Sequence, residues 1–320
     1  MGIHFRHAEP GDLPRCLDLI RRQNRGCYRL DLIDQLPEFW LSLIRSRRHA
    51  LHLFVDDAKP ASEAVQGLGS AVFVNVDFLE QHLAEPAPYL AQQILERFLA
   101  GQSPLLSRNA MAASQTSEGL HVIGIDFAFD QGNWLRPATF RWLPVVQNSA
   151  REFLGGYRLG SYYREIFGRD LFWITRAGGI RLESDYRKGP HASVSRLPPL
   201  ERPYLVGMNA DQAKRRIGSL ASTFFQAQEP QFHFSPAEQD LLLLALRNVS
   251  DEESAIVLSV STHTIKMRWR AAFDRISQNR PDLFPPHEPG TPRGNERRTR
   301  LLSYLRDHME ELRARNQSRS

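Results

Sequence analysis

The sequence predicts an α+β fold in two parts: a mixed sheet with flanking helices over residues 1–186, and an all-helical domain over 209–320, joined by a linker over 187–208. Three observations carry this expectation. Strand-like alternation and helix-like periodicity exchange with one another along the first half of the chain. The run DYRKGPHASVSRLPPLERP, dense in proline, serine and charge, then interrupts the apolar patterning as an interdomain linker does. From Phe234 to Ile276 three helix starts occur in succession, with no strand signal between them.

Composition bounds the possibilities. With 320 residues, 42% of them hydrophobic, the chain can bury two proper cores. No run approaches the roughly 20 apolar residues that span a bilayer, so no membrane partner is expected. The N-terminal MGIHFRHAEPGDLP lacks a basic stretch followed by an apolar one, so no secretory signal is read and a cytoplasmic location is expected. A net charge of +5 permits a nucleic-acid partner without demanding one. Cys16 and Cys27 are the only cysteines and stand in no metal-ligand spacing. His49 and His52, beside Arg47 and Arg48, have no carboxylate or thiol companion in sequence, and no metal site is expected.

Taken in order, Ile3–Arg6 alternates as a half-buried strand does, and Asp12 opens an amphipathic helix through Leu13, Pro14, Cys16, Leu17, Leu19 and Ile20. A second helix runs near Leu36 to Arg45. Leu51–Val55 and Gly69–Val76 read as strands of a hairpin around DDAKPASEAVQG. Pro88–Leu99 is helical, Gly101–Gly119 a Ser/Ala-rich loop, and Leu120–Phe129 the most strand-like run of the chain. The segment AREFLGGYRLGSYYREIFG reads as a helix with Phe153, Tyr157, Tyr163 and Ile166 among its apolar positions. Tyr157, Tyr162 and Tyr163 either line a pocket or form an aromatic stripe packed on the sheet. Asp170–Thr175 and Ile180–Ser184 read as closing strands. Asn209 to Gln228 reads as an amphipathic helix carrying Ala213, Ile217, Leu220 and Phe224 or Phe225 on one side.

The opening phrase, carried by Arg6, Ala8, Pro10, Asp12, Leu13 and Pro14, resembles the start of GNAT acetyltransferases, which run strand, helix, helix, antiparallel strands. That resemblance implies a site for acetyl-CoA, whose pyrophosphate is held by a Q/R-x-x-G-x-G/A turn at a helix N-terminus. Here the strand Leu120–Phe129 leads into DQGNWLRPATFRWLPV, which has no such turn. The domain is therefore expected to be a degenerate sensor or scaffold, with no cofactor and no catalytic residue, acetyl-CoA being disfavoured.

The helical domain carries the more specific signal. Ser235 precedes Pro236 and, three residues on, Glu238; Ser250 precedes Glu253; Ser261 precedes Thr264. Each serine can accept from an early backbone N–H that has no partner inside its helix. Short turns between short helices force steep crossings, which leaves the third helix projecting with one face uncovered, as entry into a DNA major groove requires. At a period of 3.6, Thr262, His263, Lys266, Met267 and Arg270 share one face, and Ile265, Trp269, Ala272, Phe273 and Ile276 the other.

The segment resembles the LuxR/GerE-type helix-turn-helix domain of bacterial transcription regulators. Ser235, Pro236, Glu238, Leu242, Ser250, Glu253, Ala255, Leu258, Ser261, Thr264, Ile265 and Lys266 match its pattern without a gap. Asn248 stands where a glycine is usual, Asp251 and Glu252 replace an Asn-Lys pair, Ser254 a core isoleucine, and Arg268 a histidine. The resemblance implies that Lys266, Met267 and Arg270 reach base edges, with Thr262, His263 and Arg268 nearer the phosphates. Lys266 and Arg270 can donate to guanine acceptors; Asp251 and Glu252, facing the DNA backbone, would weaken phosphate attraction. A last helix, about 295–315, shows an apolar stripe of Leu301, Leu302, Leu305, Met309 and Leu312, which either folds back on its own domain or pairs with a partner chain. The expected protein is a regulator binding double-stranded DNA as a homodimer, with a small-molecule effector as a further partner. The alternative is a GNAT-type N-acetyltransferase.

Overall fold

The computed structural model describes residues 2–24, 26–46, 49–130, 140–168, 175–176, 178–219, 221–284 and 293–315. The chain divides into two compact units, one of residues 1–154 with 159–225, the other of residues 226–320 with the short stretch 155–158.

In the first unit, β1 (Ile3–His7), β2 (Ala50–Asp56), β3 (Val65–Val74), β4 (Leu120–Phe129), β5 (Leu159–Phe167), β6 (Arg181–Ser184) and β7 (Pro203–Asn209) form one sheet in the order β1-β2-β3-β4-β5-β7-β6. Neighbours are antiparallel except β4 and β5. A parallel pair needs a crossover, and α7 (Leu143–Leu154) lies on that connection.

Alternation along the strands sorts side chains between two layers. Leu51, Leu53 and Val55 join a core built with α1 (Leu13–Gln23), α3 (Leu36–Ser46) and α5 (Leu90–Leu99), where Leu19, Leu36, Trp40, Ile94 and Leu95 are buried. Phe54, one residue out of phase, instead packs with Phe129 and Trp142 and with Val145 and Val146 of α7. Shorter helices α2 (Leu30–Ile33), α4 (Val76–Ala84) and α6 (Arg108–Thr116) complete the connections.

Several expectations need correction. The helix across AREFLGGYRLGSYYREIFG stops at Leu154, and Gly156, at φ 78°, takes a left-handed turn out of it. The chain then enters β5, in which Leu159, Ser161, Tyr163 and Glu165 are buried at a period of two. Phe153, Tyr157, Tyr163 and Ile166 are spaced closely enough to a helical stripe to disguise that switch. The loop over 101–119 contains α6, capped by Ser107, whose hydroxyl accepts from the N–H of Ala110 at 3.3 Å.

The linker over 187–208 is interrupted by β7, a buried strand between β5 and β6 whose short apolar run is hidden among prolines. The first unit accordingly runs to Phe225. Asn209 ends β7 and caps α8 (Ala210–Lys214), so the long helix over 209–228 shrinks to five residues, and Ile217 is 88% exposed rather than on a buried face. The strand expected at Gly69 begins at Val65. Ile180–Ser184 is realised as β6, whereas residues 170–174 lie outside the described residues.

The second unit holds α9 (Pro236–Leu246), α10 (Asp251–Val257), α11 (Thr262–Asn279) and α12 (Arg293–Asp307). Asn248, between α9 and α10, takes φ 59°, the left-handed position expected of it. The final helix ends at Asp307, short of the expected 315, and gives way to a 3₁₀ turn, Met309–Leu312. Leu301, Leu305 and Leu312 are buried beside Leu241, Ile265, Trp269 and Ile276, so the terminal stripe folds back onto its own unit.

Candidate nucleic-acid interface and the cavity of the sheet unit

Each of the three serines caps its helix. Ser235 Oγ accepts from the N–H of Glu238 at 3.3 Å while Glu238 Oε2 accepts from the N–H of Ser235 at 2.6 Å. Ser250 and Glu253 repeat the exchange at 3.1 and 2.9 Å. Hydrogen bonds from Ser250 hold the Glu253 carboxyl below its usual range. Ser261 Oγ accepts from the N–H of Thr264 at 3.1 Å and opens α11.

Burial divides α11 along the line its periodicity draws. Ile265, Trp269, Ala272 and Ile276 are buried, and Phe273 is half-buried. Thr262, His263, Lys266, Met267 and Arg270 are exposed, with Arg268 half-buried beside them. Lys266, Arg268 and Arg270 form no ion pair among the described residues. Arg275, further along, lies 3.5 Å from the buried carboxylate of Glu238 and ties α11 to α9.

Next to the exposed face is a hollow of about 410 Å³ lined by Lys266, Trp269, Arg270, Phe273 and Asp274 of α11, by Asp251, and by Arg297 and Arg298 of α12. Asp251 does not project from it. Its carboxylate accepts from Trp269 Nε1 at 3.1 Å and pairs with Arg298 at 3.0 Å, and the Arg298 guanidinium sits 4.5 Å over the Trp269 ring. The expected acidic penalty from this residue is therefore offset by a cation of the chain itself, which leaves Glu252 as the exposed acid of the pair.

Comparison with protein-family models and with curated proteins gives no match. Among the described residues no helix is long and apolar enough to cross a membrane.

The sheet unit has its own candidate site, a mostly apolar cavity of about 120 Å³. His52, Phe54, Ser70, Asp126, Tyr162 and Arg164 line it from the sheet, and Val146, Ser149, Ala150 and Phe153 from α7. The β3–β4 register shifts between Gly69 and Ala71, and such a bulge re-aims side chains. There Asp126 collects three donors: Tyr28 Oη at 2.7 Å, Trp40 Nε1 at 3.0 Å and Ser70 Oγ at 2.6 Å. Burial nevertheless raises the Asp126 carboxyl above the usual range, against those bonds and the nearby Arg164. Arg164 lies 4.9 Å over the Phe127 ring, and its Nε is buried with no hydrogen-bond partner among the described residues.

The predicted aromatic set is dispersed. Tyr162 lines the cavity, whereas Tyr163, its strand neighbour, points to the opposite layer and joins the main core, where burial pushes its hydroxyl up to about 12. Tyr157 belongs to the helical unit. Glu165 is buried on β5, accepts from the N–H groups of Tyr89 and Leu90 at the start of α5, and is pushed by burial up to about 8. Cys16 is buried, its thiol pushed up to about 12 by that burial, and Cys27 is half-buried.

The two histidines that are neighbours in sequence part company. His49 Nδ1 accepts from the N–H of Phe73 at 3.2 Å. His52 instead meets His7, ring centroids 4.5 Å apart and nearly perpendicular, and His7 Nε2 lies 2.9 Å from Glu152 Oε1. Sequence reading misses this trio because Glu152 stands 145 residues from His7 and carries no local signal.

The residues that would come after β4, where the sequence lacks the phosphate-binding turn, are 131–139 and lie outside the described residues.

Proposed function

We propose that the chain is a DNA-binding transcription regulator of the bacterial helix-turn-helix kind, acting as a homodimer on paired half-sites. Its sheet unit serves as a regulatory domain. The observation that carries this reading is α11: a serine-capped helix whose inner face is buried and whose outer face displays Lys266, Met267 and Arg270. Such a helix suits the major groove, where lysine and arginine donate to guanine O6 and N7. Thr262, His263 and Arg268 flank it for phosphate contacts, which position without specifying. A single such unit offers a small interface, and pairing two of them on one duplex supplies the rest.

DNA fragments retained by the purified chain from a random pool supply the binding site for the test. Replacing both Lys266 and Arg270 by alanine removes two base contacts worth about 1–3 kcal/mol each, so affinity for that site falls at least about thirtyfold. Unchanged preference for the selected site over random DNA refutes the reading.

A second reading, an N-acetyltransferase using acetyl-CoA, is favoured by the cavity between the sheet and α7 and by the strand, helix, helix, antiparallel-strand order at the start of the chain. Calorimetry with acetyl-CoA separates the two. Binding with turnover supports the enzyme, absence of binding supports the regulator, and tight binding without turnover supports a regulator that senses the coenzyme.

A further inference from the structure

We propose that His7, His52 and Glu152 bind a divalent transition-metal ion of the zinc class. His7 on β1 and His52 on β2 are direct register partners, so both side chains leave the same side of the sheet. Glu152 comes from α7. One ligand atom from each residue lies within 4.8 Å of the other two.

A tetrahedral ion with bonds of about 2.0–2.2 Å holds its ligand atoms roughly 3.4 Å apart, so with every pair within 4.8 Å no edge has more than about 1.4 Å to close. The His7–Glu152 edge is already at 2.9 Å.

The donor set chooses the class of ion. Two imidazoles and one carboxylate suit zinc, cobalt or ferrous iron, whereas magnesium and calcium favour sites built from oxygen alone. The second imidazole, placed edge-on to the first, brings a second ring nitrogen into the same group as the carboxylate, so one cation can take a ligand from all three residues.

Three protein ligands leave a tetrahedral ion one position short, as in catalytic rather than structural zinc sites. His52 also lines the apolar cavity, which is where an exchangeable fourth ligand would stand. The side chains of His7 and Glu152 are 28% and 38% exposed, so an ion can reach the site from solvent. A metal here would pin α7 to β1 and β2.

The test uses the untagged full-length chain, stripped with chelator and titrated with Co²⁺. One equivalent is expected to give visible ligand-field absorption that Zn²⁺ then displaces. Glu152→Gln and His7→Gln, both at partly exposed positions, are each expected to weaken Co²⁺ affinity at least about tenfold, with circular dichroism of the metal-free proteins identifying any variant that does not fold. No saturable absorption at one equivalent in the wild-type chain overturns the proposal. So does an affinity unchanged from the wild-type chain in both folded variants.

Discussion

The capped helices α9 to α11 and the β4–β5 pair satisfy their polar groups over very different distances along the chain. Each cap in the helical unit is closed by a residue three positions away. Asp126 on β4 is satisfied by Ser70, Trp40 and Tyr28, which are 56, 86 and 98 residues distant. Glu165 on β5 reaches back about as far, to the start of α5. A cap therefore holds one helix end, whereas each buried carboxylate holds elements together that nothing local would join. The loss of one should cost a local increment, and the loss of the other should be felt by the whole sheet unit.

The largest effect is expected at Asp126. Its replacement by alanine strands buried donors on Tyr28, Trp40 and Ser70, each worth about 1–3 kcal/mol when left without an acceptor, so urea denaturation should show a loss of about 3 kcal/mol or more. A cost below about 0.5 kcal/mol, the range of an ordinary surface change, would break the contrast.

Glu165 gives the next effect, and it depends on pH. Its folded carboxyl titrates at about 8 against 4.5 for the unfolded chain. Across that window the folded state retains a proton that the unfolded chain has released, so this group's contribution is complete below 4.5 and falls as pH rises to about 8. Glu165→Gln should flatten that decline, read as a smaller drop in Tm between the two pH values than in the wild-type chain. Parallel profiles would show that the two backbone donors, and not burial, govern the group.

The smallest effect belongs to a cap. Ser261→Ala should cost about 1 kcal/mol and leave the stability of the sheet unit untouched, as monitored by hydrogen exchange of β4 and β5 amides. Loss of protection in those strands would show that the cap is not local after all.

The same difference in range explains what the sequence discloses. Ser235, Ser250 and Ser261 announce their helices because each cap and its partner fall within four residues, and Asn248 is legible for the same reason. The inner and outer faces of α11 come from a period of 3.6 and match its burial. Strand β5 escapes because Phe153, Tyr157, Tyr163 and Ile166 mimic a helical stripe, and only the adjacent glycines hint at the break. Strand β7 escapes because its six-residue buried run opens on Pro203 and follows Pro198 and Pro199, in a segment whose composition looks like a linker. The cavity and the His7, His52, Glu152 trio depend on register and on the placement of α7, neither of which leaves a mark in local composition.

The way the terminal stripe folds back decides how the helical unit can be dissected. A fragment ending at Asn279 keeps every residue of the exposed basic face, yet it loses Leu301, Leu305 and Leu312 from beneath that face and the guanidinium of Arg298 from above Trp269. Asp251 would then lose its cationic neighbour and present bare negative charge beside Lys266 and Arg270. The shortest piece that preserves both the scaffold and the electrostatic sign of this surface extends past Leu312, well beyond the boundary that the three-helix pattern alone suggests.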